Sequence, residues 1–132
     1  MTSYTISTHV GSTPNDDAFA LQAGDTLEVL NGGVIEGSLD GVRVDGDGAT
    51  ITVRAGGQIF GPSWGVSEGR HSATIDNAGS IHGGGLGGGI WIGGGTIINR
   101  FGGSITSTVD EAIKITGEHA VNCCRADALG AT

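Results

Sequence analysis

The sequence is poor in proline, cysteine and basic residues. Of its 132 residues only 2 are Pro and 2 are Cys, and 6 Lys and Arg stand against 14 Asp and Glu, giving a formal net charge of −8. A chain of this charge repels nucleic-acid phosphates and anionic lipid surfaces, so neither is an expected partner. The cysteines, Cys123 and Cys124, are adjacent. They fit no metal-ligand spacing and no spaced disulfide framework, so they predict no metal or cofactor.

Long hydrophobic runs are also missing. No stretch approaches the roughly 20 apolar residues that span a bilayer, so membrane insertion is not expected. Residues 1–20 contain no basic segment followed by an apolar run, so no secretory signal is visible and the cellular location stays open. With 37% hydrophobic and only 15% charged residues, the chain is nevertheless expected to fold.

Glycine is the residue in excess. The chain contains 27 Gly, about a fifth of its residues against a usual share of roughly 7%. These glycines do not recur at every third position, which excludes a collagen helix. Their density also disfavours α-helix throughout the chain. We therefore expect short strands joined by many sharp bends.

A repeat of about 24 residues, a length typical of solenoid proteins, organises the central part of the chain. One series of segments begins with Thr followed by an aliphatic residue. A second series places an Ile after a Gly-containing bend, and a third alternates Val or Ile with a polar or aromatic residue. Such alternation has the period of a half-buried strand. The first series comprises Thr26–Val29, Thr50–Val53, Thr74–Asn77 and Thr96–Asn99.

Three strands per repeat predict an all-β fold, a single-stranded parallel β-helix (β-solenoid) of about five coils of 22–24 residues. One coil alone cannot bury its inward side chains, whereas stacked coils place like residues on like. Three interior ladders are therefore expected. They are Leu27, Ile51, Ile75 and Ile97; Ile35, Ile59, Ile81 and Ile105; and Val42, Val66, Ile90 and Ile113.

We predict a single domain over 1–132. Residues 1–25 are expected to form an irregular first coil or cap, 26–117 the regular coils, and 118–132 a partial last coil, a cap or a tail.

Both ends can be placed in the frame of the repeat. At the start, Thr5-Ile6 is expected beside Thr26-Leu27, and Phe19–Leu21 beside Val42–Val44. At the other end, Val121 and Leu129 fall one repeat after Ile97 and Ile105.

The segments Thr74–Gly83 and Ile97–Ile105 resemble the degenerate repeats of bacterial autotransporter passenger (adhesin) domains and of other pectin-lyase-like β-helices. The resemblance covers about residues 26–117 and consists of Asn, Gly and Ile at fixed places. It implies a right-handed β-helix from a bacterial, secreted or cell-surface protein. It carries no catalytic signature, and this chain is shorter than such passengers, so we interpret it as a fragment or a miniature member.

The candidates for catalysis are carboxylates. Asp40, Asp45 and Asp47 cluster in one coil beside Arg43, and paired carboxylates can do acid and base work if they are suitably spaced. The alternative is that they lie in solvated bends, where Asp beside Gly is ordinary turn chemistry. Gly83–Gly89 has the glycines of a calcium-binding repeat but not its aspartates, so no metal site is expected.

Two tryptophans and two asparagines are the other candidate site residues. Trp91 points outward and Trp64 lies at a bend, so either could stack on a sugar or anchor a protein interface, or could instead cover a Gly-rich corner. Asn77 and Asn99 lie one repeat apart at a strand end and are expected to form a structural ladder.

Glu68 is the one charged residue in the interior pattern. An unpaired charge there would be costly, so either the strand ends at Val66, which we favour, or Glu68 has a partner such as Arg70.

These features favour a non-enzymatic structural or adhesive module that binds a protein or a glycan on its faces. The alternative is a carbohydrate-active enzyme that uses the Asp cluster. An uncapped solenoid exposes strand edges, and neither end of this chain looks like a cap, so we also predict a homo-oligomer.

Overall fold

The structure, a computed structural model, describes residues 1–11, 13–14, 16–85, 87–109, 111–116 and 124–126, and for 68–69 and 124–126 it describes the backbone alone. Every regular element in these ranges is a β-strand. The strands in chain order are Ser3–Ile6 (β1), His9–Gly11 (β2), Phe19–Leu21 (β3), Thr26–Val29 (β4), Val34–Glu36 (β5), Val42–Val44 (β6), Ala49–Val53 (β7), Gln58–Gly61 (β8), Val66–Asn77 (β9), Ser80–Gly83 (β10), Ile90–Asn99 (β11), Ser104–Ser107 (β12), Ile113–Ile115 (β13) and Cys124–Ala126 (β14).

The chain winds through three faces in turn. The first face contains β1, β4, β7, the later parts of β9 and β11, and β14. The second face contains β2, β5, β8, β10 and β12. The third contains β3, β6, the starts of β9 and β11, and β13.

All neighbouring strands on these faces are parallel, and together they form a β-solenoid of about four turns. The predicted fold class is therefore confirmed. The number of turns is about one smaller than the predicted five.

The three predicted interior ladders are present. Each residue pairs in register with its counterpart in the next turn, so identical or similar aliphatic side chains stack along the solenoid axis. All members except Ile113 are at most 2% exposed. Ile113 is half-buried, because it lies in the last described coil. Between turns, backbone N–H and C=O groups bond across a spacing of about 4.8 Å, which satisfies the polar backbone of a thin, Gly-rich chain.

An irregularity in β9 explains why the repeat that begins at Thr74 is shorter than the one before it. Val66 pairs with Ile90 and Thr74 with Thr96, but the register shifts between them. From Glu68 to Ser72 the chain advances four residues, whereas its partner advances only from Ile92 to Gly94. The two additional residues of β9 are absorbed in a β-bulge.

The expectation that the strand ends at Val66 is wrong. The strand β9 continues from Val66 to Asn77, because β11 pairs with it on both sides of the bulge. The side chain of Glu68, and hence a partner for it, lies outside the described residues.

At the two ends of the chain, some strand pairings differ from the expected register. At the start, Phe19 pairs with Val42 as expected, but Tyr4 and not Ile6 pairs with Leu27. The expected register of Thr5-Ile6 is therefore wrong by two residues, a shift that keeps the alternation of inward and outward side chains. At the other end, Ile97 pairs with Cys124, while Val121 and Leu129 lie outside the described residues.

Two kinds of corner require glycine for different reasons. At Gly32, Gly56 and Gly102 the backbone has φ between 84° and 86°, a region that side chains disfavour. At Gly37 and Gly83 a Cβ atom would overlap the carbonyl oxygens of Asp40 and Gly88, respectively. At these two corners the chain folds back on itself so closely that there is no room for a side chain on the Cα atom.

A substitution in the middle of a ladder tests this packing. We expect Ile75→Ala to lower the free energy of unfolding by about 2–5 kcal/mol, because Ile75 is fully buried with a ladder neighbour on either side. The matched control is the adjacent, exposed Thr74→Ala, which should change stability by well under about 1 kcal/mol. Urea unfolding followed by circular dichroism measures both, and equal effects of the two variants would contradict the assigned inward and outward positions.

Candidate functional site

The third face holds the first of the candidate carboxylates. Asp40 Oδ2 accepts a hydrogen bond from Ser67 Oγ at 2.5 Å, and Asp40 Oδ1 accepts the Trp64 backbone N–H at 3.1 Å. Burial raises the pKa of Asp40, and the neighbouring Asp17 acts in the same direction, against the lowering effect of the Ser67 and Trp64 donors. Asp40 thus joins its own turn to the next one.

The other two candidates are held by different donors. Arg43 donates from Nε to Asp45 Oδ1 at 2.8 Å and from Nη2 to Asp45 Oδ2 at 3.0 Å. Asp47 accepts the Ser72 N–H at 3.0 Å, and this hydrogen bond is the main reason that its pKa is lowered. Each of the three aspartates therefore accepts hydrogen bonds from a different set of donors.

Sequence reasoning missed Asp17, which belongs to the same corner. Asp17 Oδ1 accepts the Asp40 N–H at 3.2 Å, and Asp17 Oδ2 accepts a bond from Arg43 Nη1 at 2.9 Å. A signal for it was present, since Asp17 precedes Phe19 by two residues just as Asp40 precedes Val42. The carboxylate oxygens of Asp17, Asp40 and Asp45 all accept hydrogen bonds from protein donors, so this corner is a linked network of acids with Arg43.

The two tryptophans lie next to each other on the third face. Their ring centroids are 5.5 Å apart, with the planes tilted by 42°. Lys114 Nζ lies 5.4 Å from the centroid of the Trp91 ring, and Trp91 Nε1 donates to Thr116 Oγ1 at 3.0 Å. Trp64 packs on Gly88, where an added Cβ would meet its ring at 2.5 Å. Much of both half-buried indoles is therefore covered by other residues of the chain.

The two asparagines occupy interior positions where other turns have Val29 and Val53. Asn77 Nδ2 donates to Asn99 Oδ1 at 2.9 Å, and Asn99 Nδ2 donates to the Gly103 carbonyl at 3.1 Å. Both residues are at most 4% exposed. This buried amide ladder ties the corner after the first face to the next turn and has no access to a ligand.

The first face carries ion pairs between successive turns. Arg54 Nε contacts Glu28 Oε2 at 2.6 Å, and Arg100 contacts both carboxylate oxygens of Asp76 at 2.8–2.9 Å. Arg100 lowers the pKa of Asp76 below its ordinary value of 3.8. Charged groups on this face thus stabilise the stacking of turns in the same way as the acids of the third face do.

The second face has concave surface, which sequence reasoning did not identify. A cavity of about 400 Å³ has His9, Glu36 and Phe60 in its lining, and a second of about 430 Å³ has Glu36, Phe60 and His82. The Phe60 and His82 rings stack with centroids 5.5 Å apart and planes within 11°. The two cavities share Glu36 and Phe60, and we call the surface that they form the second-face groove.

The described residues contain no group of three or more His, Cys, Asp or Glu side chains placed to hold a metal ion. They also contain no helix that is long and apolar enough to cross a membrane. Cys123, and the side chain of Cys124, lie outside them.

Comparison with family models, with curated proteins and with solved structures gives no significant match for this chain.

Opposite pKa shifts predict opposite pH effects on stability. The raised pKa of Asp40 means that ionising it costs stability as pH rises from 3.8 through its higher folded value, a cost that Asp40→Asn removes. The lowered pKa of Asp76 means that its contribution to the free energy of unfolding is present above pH 3.8. This contribution is lost as pH falls through the lower pKa of Asp76 in the folded state.

Urea unfolding at a series of pH values measures this difference. Relative to the native chain, Asp40→Asn should gain stability as pH rises, whereas Asp76→Asn should lose up to about 1 kcal/mol, because its ion pair is partly exposed. Parallel pH profiles for the two variants would contradict the assigned environments.

Proposed function

We propose that this chain is a non-enzymatic structural or adhesive β-solenoid module, which binds a protein or a glycan on its long faces and associates with copies of itself. The observation that carries the proposal is that the candidate acids of the third face and the charges of the first are used to join one turn to the next. Among the described residues, no buried side-chain nitrogen or oxygen lacks a hydrogen-bond partner. Polar groups arranged in this way stabilise a scaffold and leave its outer faces for recognition.

The likeness of the repeats to autotransporter passengers fits this role. We interpret the chain as a fragment or miniature of such a passenger, from a bacterial secreted or cell-surface protein. Its solenoid fold and its Asn and Ile ladders support this interpretation.

The carbohydrate-active alternative receives less support from the geometry. An acid catalyst needs a carboxyl within reach of substrate, whereas both oxygens of Asp40 and both of Asp45 accept bonds from neighbouring residues.

A cleavage assay separates the two functions. We expect no new reducing ends and no unsaturated products when the purified chain is incubated with polygalacturonate and calcium, because Asp40 and Asp45 accept hydrogen bonds on both carboxylate oxygens. Product that disappears in Asp40→Asn, Asp45→Asn or Asp47→Asn would establish the enzyme instead.

Self-association is proposed through the first turn. Within the described residues, β1, β2 and β3 each pair with one strand only, so their other edges present unpaired backbone groups. None of the ten residues in these strands is Asp, Glu, Lys or Arg. Charged side chains are the usual means by which an edge strand avoids pairing with another chain. Tyr4 and Phe19, in edge-to-face contact at 4.8 Å, add a partly exposed apolar surface at this end.

Placing a charge on this edge should therefore dissociate the oligomer. Thr5→Lys puts a lysine on β1, which has one free edge, whereas Thr74→Lys puts the same substitution on the same face in β9, which has neighbours on both sides. Both threonines are exposed, so neither change should unfold the chain. Light scattering should give a mass above one chain for the native protein and Thr74→Lys, and a lower mass for Thr5→Lys. A sharp monomer peak for the native chain at high concentration would defeat the proposal.

A further inference from the structure

The groove of the second face lies across three successive turns. Glu36 pairs in register with Phe60, and Phe60 with His82, so the three side chains form one outward column. One turn before Glu36 the same column holds Gly11, which has no side chain to cover the space. The resulting concavities are open and have volumes of about 400 and 430 Å³.

The aromatic side chain in the groove, Phe60, is half-buried and contributes to the lining of both concavities. His82 stacks on Phe60 from the next turn, and the His82 ring is itself fixed by Thr106 Oγ1 at 2.6 Å and Thr108 Oγ1 at 3.3 Å. Glu36 lies in register on the other side of Phe60, in the preceding turn. An aromatic ring held in this way offers a rigid apolar surface to the C–H face of a sugar ring.

Polar groups surround this surface. Glu36 and His9 are exposed, with Glu36 Oε1 3.1 Å from His9 Nε2. Gln58 and Ser80 lie in the adjacent outward column, to which His9 also belongs. Carboxylate, amide, imidazole and hydroxyl groups offer both hydrogen-bond donors and acceptors, which match the hydroxyl groups around a sugar. The combination of a flat apolar ring and planar polar side chains favours a glycan over an apolar ligand.

The charge of the groove limits which glycan fits. Neither cavity is lined by Lys or Arg among the described residues, Glu36 belongs to both, and the whole chain has a formal net charge of −8. Uronate, sialylated or sulfated chains would meet a carboxylate without a compensating arginine or lysine. The glycan should therefore carry no acidic groups.

We infer that the second-face groove binds a neutral oligosaccharide, with one sugar against the exposed part of the Phe60 ring and the next sugar beside Glu36. This inference rests on the proposed function, because it gives the recognition module a ligand and a surface. The inference assigns no catalytic reaction to the groove, so the bound sugar is released unchanged.

Binding can be tested by titrating the purified, isotope-labelled chain with cellohexaose, mannohexaose, maltohexaose and xylohexaose, and with hexagalacturonate as the anionic probe. We expect at least one neutral hexasaccharide to shift the backbone amide signals of Glu36, Phe60 and His82, with smaller or no shifts from hexagalacturonate. Phe60→Ala should weaken that binding at least about tenfold, the scale of one aromatic contact. Phe60→Tyr, which keeps the ring, should bind like the native chain.

The control for the loss of an aromatic residue is Phe101→Ala. Phe101 is 84% exposed on a corner after the first face, so its removal should leave binding unchanged. If Phe60→Ala fails to fold by circular dichroism, Gln58→Ala and Glu36→Gln carry the test, and either should weaken binding. Absence of shifts with every neutral probe, or binding unaffected by all groove variants, would overturn the inference.

The failure of the groove and the failure of the proposed function are distinguishable in the same samples. If no neutral oligosaccharide binds but the chain self-associates, the inference about the groove is overturned and the proposed function is not. Binding at Phe60 followed by cleavage of the probe would support the groove and overturn the non-enzymatic function.

Discussion

The in-register stacking of aliphatic side chains between turns is the constraint on which the rest of this structure depends. Leu27, Ile51, Ile75 and Ile97 share one core with the ladders of the other two faces. They are fully covered because each turn also stacks on the previous one, so every corner must return the chain to the same place. The close approach at Gly37 and Gly83 and the positive φ at Gly32 and Gly56 follow from this requirement.

Polar residues on the outside of the solenoid also connect each turn to the next. Asp40, Asp47 and Asp76 each bond to a residue 24 to 27 positions further along the chain, which is one turn away. The stability of such a stack is approximately a sum of turns and of contacts between neighbouring turns. The hydrogen bonds of Asp40 and Asp47 are thus contacts between turns.

Sequence reasoning recovered the ladders because they place like residues at like positions. Ile59 and Ile81, for example, recur in phase whatever lies between them. The β-bulge after Glu68 is visible in the sequence only as a shortened repeat, which shows that the number of residues changes but not where the difference is absorbed. At the first turn the register of Tyr4 and Ile6 was ambiguous, because a shift of two keeps every side chain on its side of the sheet.

The site was harder to foresee for the opposite reason. Glu36, Phe60 and His82 share a column but no chemical type, so no pattern of identity marks them. Their proximity follows only from the register of the neighbouring isoleucines. Trp64 and Trp91 were conspicuous as residue types, yet the structure places each against the other and against glycine or lysine.

The β-bulge at residues 69–71 also says where this architecture tolerates change. The stretch from Val66 to Thr74 holds two residues more than the stretch from Ile90 to Thr96 that pairs with it, and the residues at both of its ends keep their partners. The number of residues at this corner can therefore change without shifting the register of the strands on either side. A foreign loop grafted there would be displayed on a rigid frame, since the hydrogen-bonded strands that flank it are already fixed by their neighbours.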